Sequence, residues 1–265
     1  MTAHVGTAFA KAAAQDRAAL IGYLPAGFPT PEISVRLINA MVAGGVDIIE
    51  VGLPYSDPLM DGPVIQQAVN EALAAGTTTD HVIDVVRQIT EAGATAVVMS
   101  YWNPIERYGV QKFASGLQAA GGSGLIAPDL SPEEGSDWSA AATAHDIDQI
   151  FMVAPSSTDA RIAEIVTHAS GFVYAASTMG VTGTRTSIGG AASGLVARTR
   201  TFTQLPIAVG LGVSTAAHAA EVAAYADGVI VGSAFVRRVL DADSESAAIA
   251  AVKELASELA NGVHH

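Results

Sequence analysis

The chain has 265 residues, no cysteine, and a formal charge of −13 from 26 acidic and 13 basic residues. A length near that suits one large domain, here residues 1–265, that buries roughly 75% of its extended-chain surface. The acidic balance argues against duplex or single-strand nucleic-acid binding, and the missing cysteines remove disulfides, thiolate metal sites and cysteine nucleophiles. A small anion stays compatible, because backbone N–H groups and helix ends hold one without Lys or Arg. Residues 1–17 carry no signal-peptide pattern, and no run of about 18 apolar residues suggests a membrane span, so the expectation is a soluble, cytoplasmic protein. The terminal pair His264-His265 is assigned no role; it has the look of a tag remnant.

In chain order, an apolar run at 19–24 reads as the first strand. Thr30 and Pro31 then fit the N-cap and N1 positions of a helix whose stripe is Ile33, Leu37, Ile38 and Met41. A second strand covers 47–51, and Pro63 opens a helix with Val64, Ile65, Ala68, Val69, Ala72 and Leu73 on one face. Strands follow at 96–99 and 124–127. Ser131-Pro132-Glu133-Glu134 has the form of a capping box with proline at N1. The remaining strands are 149–153, 172–175, 207–209 and 228–231, with Ser214 able to cap the alanine-rich helix through Ala224. These strands are continuous apolar runs, as parallel strands covered on both faces should be. Eight strand–helix units in this length predict an α/β fold of the closed (β/α)8 TIM-barrel type, the open doubly wound sheet being the alternative.

Two carboxylates stand out. Glu50 interrupts the second strand, where a buried carboxylate is costly unless paired or used. Asp61 closes the Gly/Pro-rich loop that follows. In a barrel the carboxyl ends of the strands and the loops after them form the active site, so the pair reads as acid–base chemistry. A buried ion pair for Glu50, and a turn or cap role for Asp61, are the structural alternatives.

Three glycine-bearing segments follow late strands: Gly180-Val181-Thr182-Gly183-Thr184, Gly210-Leu211-Gly212-Val213-Ser214, and Gly232-Ser233. Glycine lets backbone approach an oxyanion, and barrels commonly hold phosphate among their last loops. Together they predict a phosphorylated substrate held by backbone and Ser233. No Walker-type lysine motif or full dinucleotide fingerprint occurs. The histidines (4, 81, 145, 168, 218, 264, 265) have no ligand spacing, so no metal site is expected.

The segment Glu50-Val51-Gly52-Leu53-Pro54-Tyr55-Ser56-Asp57-Pro58-Leu59-Met60-Asp61-Gly62-Pro63 closely resembles the signature of the tryptophan synthase alpha chain family. The resemblance extends through Leu24-Pro25-Ala26-Gly27-Phe28-Pro29-Thr30, Tyr101-Trp102-Asn103-Pro104, Ala127-Pro128-Asp129-Leu130, Gly180-Val181-Thr182-Gly183 and Gly210-Leu211-Gly212-Val213-Ser214. It implies retro-aldol cleavage of indole-3-glycerol phosphate to indole and glyceraldehyde 3-phosphate. Carried over by motif, Glu50 is the acid/base and Asp61 accepts from the indole N–H, while Tyr174 positions Glu50 and substrate. The phosphate site falls on Gly183, Gly212, Gly232 and Ser233, and the indole pocket on Tyr23, Met99, Tyr101, Ala127 and Ile150. The resemblance also implies mobile loops at 53–60 and about 180–192, with Thr182 meeting Asp61 on closure. Thr178 stands where many relatives have arginine.

The family implies a partner, a beta chain that carries pyridoxal phosphate and joins the transferred indole to serine in an alpha-beta-beta-alpha heterotetramer; this chain itself is expected to bind no cofactor. Asp57 would signal across that interface, which loops 53–60 and 101–108 would form. A phosphosugar isomerase or another indole-pathway barrel is the competing enzyme class. Such relatives need a base on a different strand, often with a lysine as acid or enediolate stabiliser, and Lys11, Lys112 and Lys253 lie at no strand end. A catalytically inactive alpha-like subunit is the competing non-enzyme reading, against which the retained Glu50 and Asp61 argue.

Overall fold

Strands that are mostly apolar on both faces need a covering on each, and the chain supplies it by alternating them with helices. The computed structural model describes residues 5–176, 190–210 and 212–264. Its strands are β1 Ala19–Pro25, β2 Ile48–Gly52, β3 Thr95–Met99, β4 Gly124–Ile126, β5 Asp148–Ile150, β6 Met152–Val153, β7 Val173–Ala176, β8 Ile207–Gly210 and β9 Gly228–Val231. All pair in parallel, in the order β5-β4-β3-β2-β1-β9-β8-β7-β6. The two ends of that order are consecutive in the chain, so the sheet curls into a barrel.

The expected fifth strand, 149–153, is divided at Phe151 into β5 and β6. Its first half pairs with β4 and its second half with β7, while the Tyr174 N–H donates to the Phe151 carbonyl at 3.0 Å. Barrel strands are tilted and staggered, so one short stave meets its two neighbours at different heights. The eight predicted staves are therefore present, one of them in two pieces.

Side chains alternate between two cores. Outward residues such as Leu20, Leu24, Ile49, Val51, Val98 and Val209 pack with the surrounding helices. Inward residues Ala19, Ile21, Ile48, Val97, Ile126, Ile150, Ala208 and Ile230 fill the barrel with Val5, Ala8, Phe9 and Ala12 of the helix Val5–Ala13. That helix plugs the amino-terminal end. Phe9 stacks against Phe172 at 5.3 Å, and the Val5 N–H donates to the buried Asp148 carboxylate at 3.2 Å.

The same end is fastened by a repeated device. Asp47, just outside β2, accepts from the Leu20 N–H at 2.8 Å and pairs with Arg17 at 2.6 Å. Asp227, just before β9, accepts from the Ile207 N–H at 2.8 Å and pairs with Arg200 at 2.8 Å. Each carboxylate ties one strand start to its neighbour.

Thr30 caps the helix Pro31–Ala43 by accepting from the Ile33 N–H at 3.3 Å, and Pro63 opens the helix Pro63–Ala74. Two other start signals are corrected. The box at Ser131 forms, with the Ser131 hydroxyl donating to Glu134 at 2.9 Å, but it closes an isolated turn. Glu133 is held by Arg161 from another helix, and the following helix begins only after Gly135, as Ser136–Ala144. The alanine-rich helix is Ala216–Ala223, and its cap is Thr215, which accepts from the His218 N–H at 3.2 Å, not Ser214. No described helix is long and apolar enough to cross a membrane.

Phe9 is 5% exposed and shared between the plug and the barrel floor. Phe9→Ala is expected to cost about 3–4 kcal/mol in urea unfolding, within the range for a buried Phe-to-Ala cavity. Function per folded molecule should be intact, because the lesion lies at the end opposite the carboxylates. A midpoint unchanged from the parent would show that the plug does not support the barrel.

Candidate active site

Glu50 lies in β2 with its Cα opposite Tyr23 of β1 and Val97 of β3. Strand alternation turns it inward with Ile48, and it is 1% exposed. Its Oε1 is buried and finds no hydrogen-bond partner among the described residues. Burial is the larger cause, and the charge of Asp61 the smaller, that pushes its carboxyl up to about 8. The ion-pair alternative is not met: no described cation pairs with Glu50. At neutral pH this residue is a proton donor held in a low-dielectric wall.

Asp61 is half-buried in the loop above. The Tyr101 hydroxyl donates to its Oδ1 at 3.2 Å and accepts from the Met60 N–H at 2.9 Å. Burial raises the Asp61 carboxyl while the hydrogen bond from Tyr101 opposes the rise. Tyr101 in turn is pushed up to about 12, by burial first. The phenol predicted to line an indole pocket thus also clamps the loop that carries Asp61. The clamp extends outward: Tyr55 packs on Tyr101 at 5.6 Å, and Asn103 donates to the Tyr55 hydroxyl at 3.0 Å. Asp129 accepts from the Trp102 N–H at 2.9 Å and so caps the short helix Trp102–Tyr108.

Tyr23 and Tyr174 flank Glu50. A Cβ added to Gly52 would lie 2.4 Å from the Tyr23 hydroxyl, and one added to Gly210 would lie 2.2 Å from that of Tyr174. Each phenol therefore occupies the space that a side chain on a neighbouring strand would take. Burial raises both phenols, with Asp61 and then Glu50 adding to Tyr23 and Glu50 adding to Tyr174. Reading Gly210 as part of an anion loop missed this packing role, and Gly52 was not singled out at all.

Gly212 has φ +60°, the left-handed region that glycine tolerates best. Gly232 stands at the N-cap of the helix Ser233–Leu240 without a side-chain cap, which leaves N–H groups of the first turn directed outward. Ser233 is half-buried beside it. Gly183, Thr182 and Thr178 fall outside the described residues, as do Leu211 and most of the predicted lid; residues 190–192 begin the helix Gly190–Arg200. Met99 and Ala127 retain accessible surface near the carboxyl ends of β3 and β4, whereas Ile150 is 2% exposed within the inner core. Met152, opposite Tyr174 and partly open, is a mouth residue that sequence reading overlooked. Asp57 is exposed and accepts from the Ser56 hydroxyl at 2.6 Å, and Leu59 nearby is 74% exposed.

The barrel thus presents a buried carboxyl at its axis, a second carboxyl clamped above it by Tyr101, and glycine-rich turns after its last strands. Known proteins resemble the chain over nearly its whole length. The family model described as tryptophan synthase alpha chain matches residues 9–264. The chain is 62% identical over 257 residues to the tryptophan synthase alpha chain of Thermobifida fusca, covering 96% of this chain and 95% of that one. It is 57% identical over 263 residues to that of Acidothermus cellulolyticus, covering 99% and 97%. Among solved structures, a chain of Mycobacterium tuberculosis tryptophan synthase superposes with TM-score 0.94 at 50% identity and full coverage of both. Tryptophan synthase subunit alpha from Legionella pneumophila superposes with TM-score 0.88 at 32% identity, over 98% and 97%. The chain belongs to the tryptophan synthase alpha chain family.

Proposed function

We propose that Glu50 and Asp61 divide between them the work of the family's reaction, cleavage of indole-3-glycerol phosphate to indole and glyceraldehyde 3-phosphate. The observation that carries the division is the buried Glu50 carboxyl, whose Oε1 has no partner among the described residues, held protonated near neutral pH beside a second carboxyl clamped by Tyr101.

Indole is a poor leaving group until its C3 is protonated. Glu50 donates that proton, and the ring becomes a cation whose charge resides largely at nitrogen. Asp61 stays ionised, accepts the N–H hydrogen bond and lowers the energy of the cation. Glu50, now a carboxylate, takes the proton from the hydroxyl on the chain carbon attached to C3. The carbon–carbon bond breaks, its electrons restore the aromatic ring, and the hydroxyl carbon becomes the aldehyde. The net proton transfer is from hydroxyl oxygen to C3, and Glu50 ends as it began.

Tyr174, opposite on β7, positions Glu50 and the chain. Gly183, Gly212, Gly232 and Ser233 would hold the phosphate, while Tyr23, Met99, Tyr101, Ala127 and Ile150 surround the ring, with Thr182 meeting Asp61 on closure. The family works with a beta chain. We read residues 1–265 as one domain of a cytoplasmic alpha-beta-beta-alpha tetramer, with pyridoxal phosphate on the beta chain and the 53–60 loop at the contact. Exposed Leu59 and Asp57, and the Tyr55–Asn103 bond beneath them, support that face.

Glu50→Gln should reduce indole release by about 10²–10⁴-fold while the circular dichroism spectrum is retained. Near-normal turnover would remove Glu50 from its assigned role. In the parent, kcat/KM should decline as pH rises past about 8, where the acid is lost; a flat profile through pH 9.5 would contradict this protonation state.

Stability carries the same signature. A carboxyl raised by folding contributes fully below its unfolded value, and that contribution is lost as pH rises through the folded one. For Glu50 the window runs from the ordinary carboxylate range up to about 8. Glu50→Gln should therefore melt above the parent at pH 9, by several degrees, and the gap should close toward pH 5.

A further inference from the structure

Tyr23 runs along the wall between the turn at Gly232 and the carboxyl end of β2. Its Cβ, Cγ and Cδ1 lie 3.6–3.8 Å from the Cβ position of Gly232, at the phosphate side. Its hydroxyl reaches Gly52, two residues beyond Glu50 on the same inward face. The ring therefore runs alongside the three-carbon chain that must connect phosphate to indole. Tyr101, also close to the carboxylates, has its hydroxyl engaged by Asp61 and the Met60 N–H. No hydrogen bond joins the Tyr23 hydroxyl to another described residue, and phenylalanine would fill the same volume without offering a donor.

We propose that the Tyr23 hydroxyl donates a hydrogen bond to the hydroxyl-bearing chain of indole-3-glycerol phosphate, holding the carbon that becomes the aldehyde in line with Glu50. This gives Tyr23 a function beyond pocket lining: it recognises the oxygenated chain. It rests on the indole-3-glycerol phosphate reading above. Burial and the charges of Asp61 and Glu50 keep the phenol protonated, so it remains a donor throughout the working pH range. A donor at this point also polarises the nascent aldehyde oxygen as the carbon–carbon bond opens.

The test compares the parent with Tyr23→Phe, both assayed with beta chain added. Indole release measures the oxygenated substrate, and titration with indole-3-propanol phosphate measures a ligand that lacks the chain hydroxyls. Loss of one neutral hydrogen bond should lower kcat/KM about 3–10-fold. The dissociation constant for the propanol phosphate should stay within twofold of the parent, roughly the scatter of one weak contact, and the alkaline limb of the pH profile should keep its midpoint. Unchanged kcat/KM would overturn the proposal, as would an equal loss of affinity for the propanol phosphate, which would make Tyr23 a packing residue. Parental activity on indole-3-glycerol phosphate tests the underlying reading separately.

Discussion

The desolvation of Glu50 is the constraint around which the carboxyl end of the barrel is arranged. A carboxylate at this depth would need a cation, and none of the described ion pairs supplies one. The protein instead keeps the group neutral by surrounding it with Ile48, Val97 and two phenols. Asp61 adds to the effect from above. Two neighbouring carboxyls in unlike settings separate in acidity, the buried one upward and the hydrogen-bonded one less so. On the proposed division of roles, that separation would let one act as an acid while the other stays a charge.

The opposite end of the molecule uses carboxylates for another purpose. Asp47, Asp148 and Asp227 each accept a backbone N–H, and two of the three also pair with arginine. They are satisfied where Glu50 is left open. The division matches the general rule for barrels, in which the amino-terminal face serves stability and the carboxyl-terminal face chemistry.

Much of this was legible in the sequence because the signals are local. Continuous apolar runs marked the strands, and proline after threonine marked a helix start. What escaped depends on which groups meet in space. The division of the fifth strand follows from barrel stagger, which no single strand encodes. Ser131 has every mark of a helix cap, yet Arg161, thirty residues on, holds Glu133 in a turn. Asp148 is also an acid within a strand, and nothing local distinguishes it from Glu50; the N–H of Val5, far away in sequence, is what it meets. In the site, Glu50 and Asp61 were visible as residue types in a telling loop. The clamp from Tyr101, the opening of Met152 onto the mouth and the glycines that admit two phenols were not, since each involves a partner on another strand.

The plug formed by Phe9, Val5 and their neighbours has a consequence for traffic. With its floor closed by that plug, the barrel opens at the end where Asp61 and Tyr101 stand. Among the described residues, that open end is bordered by the exposed Leu59 and the helix that begins at Trp102. A body seated on that rim would command arrivals and departures together, without touching the chemistry below.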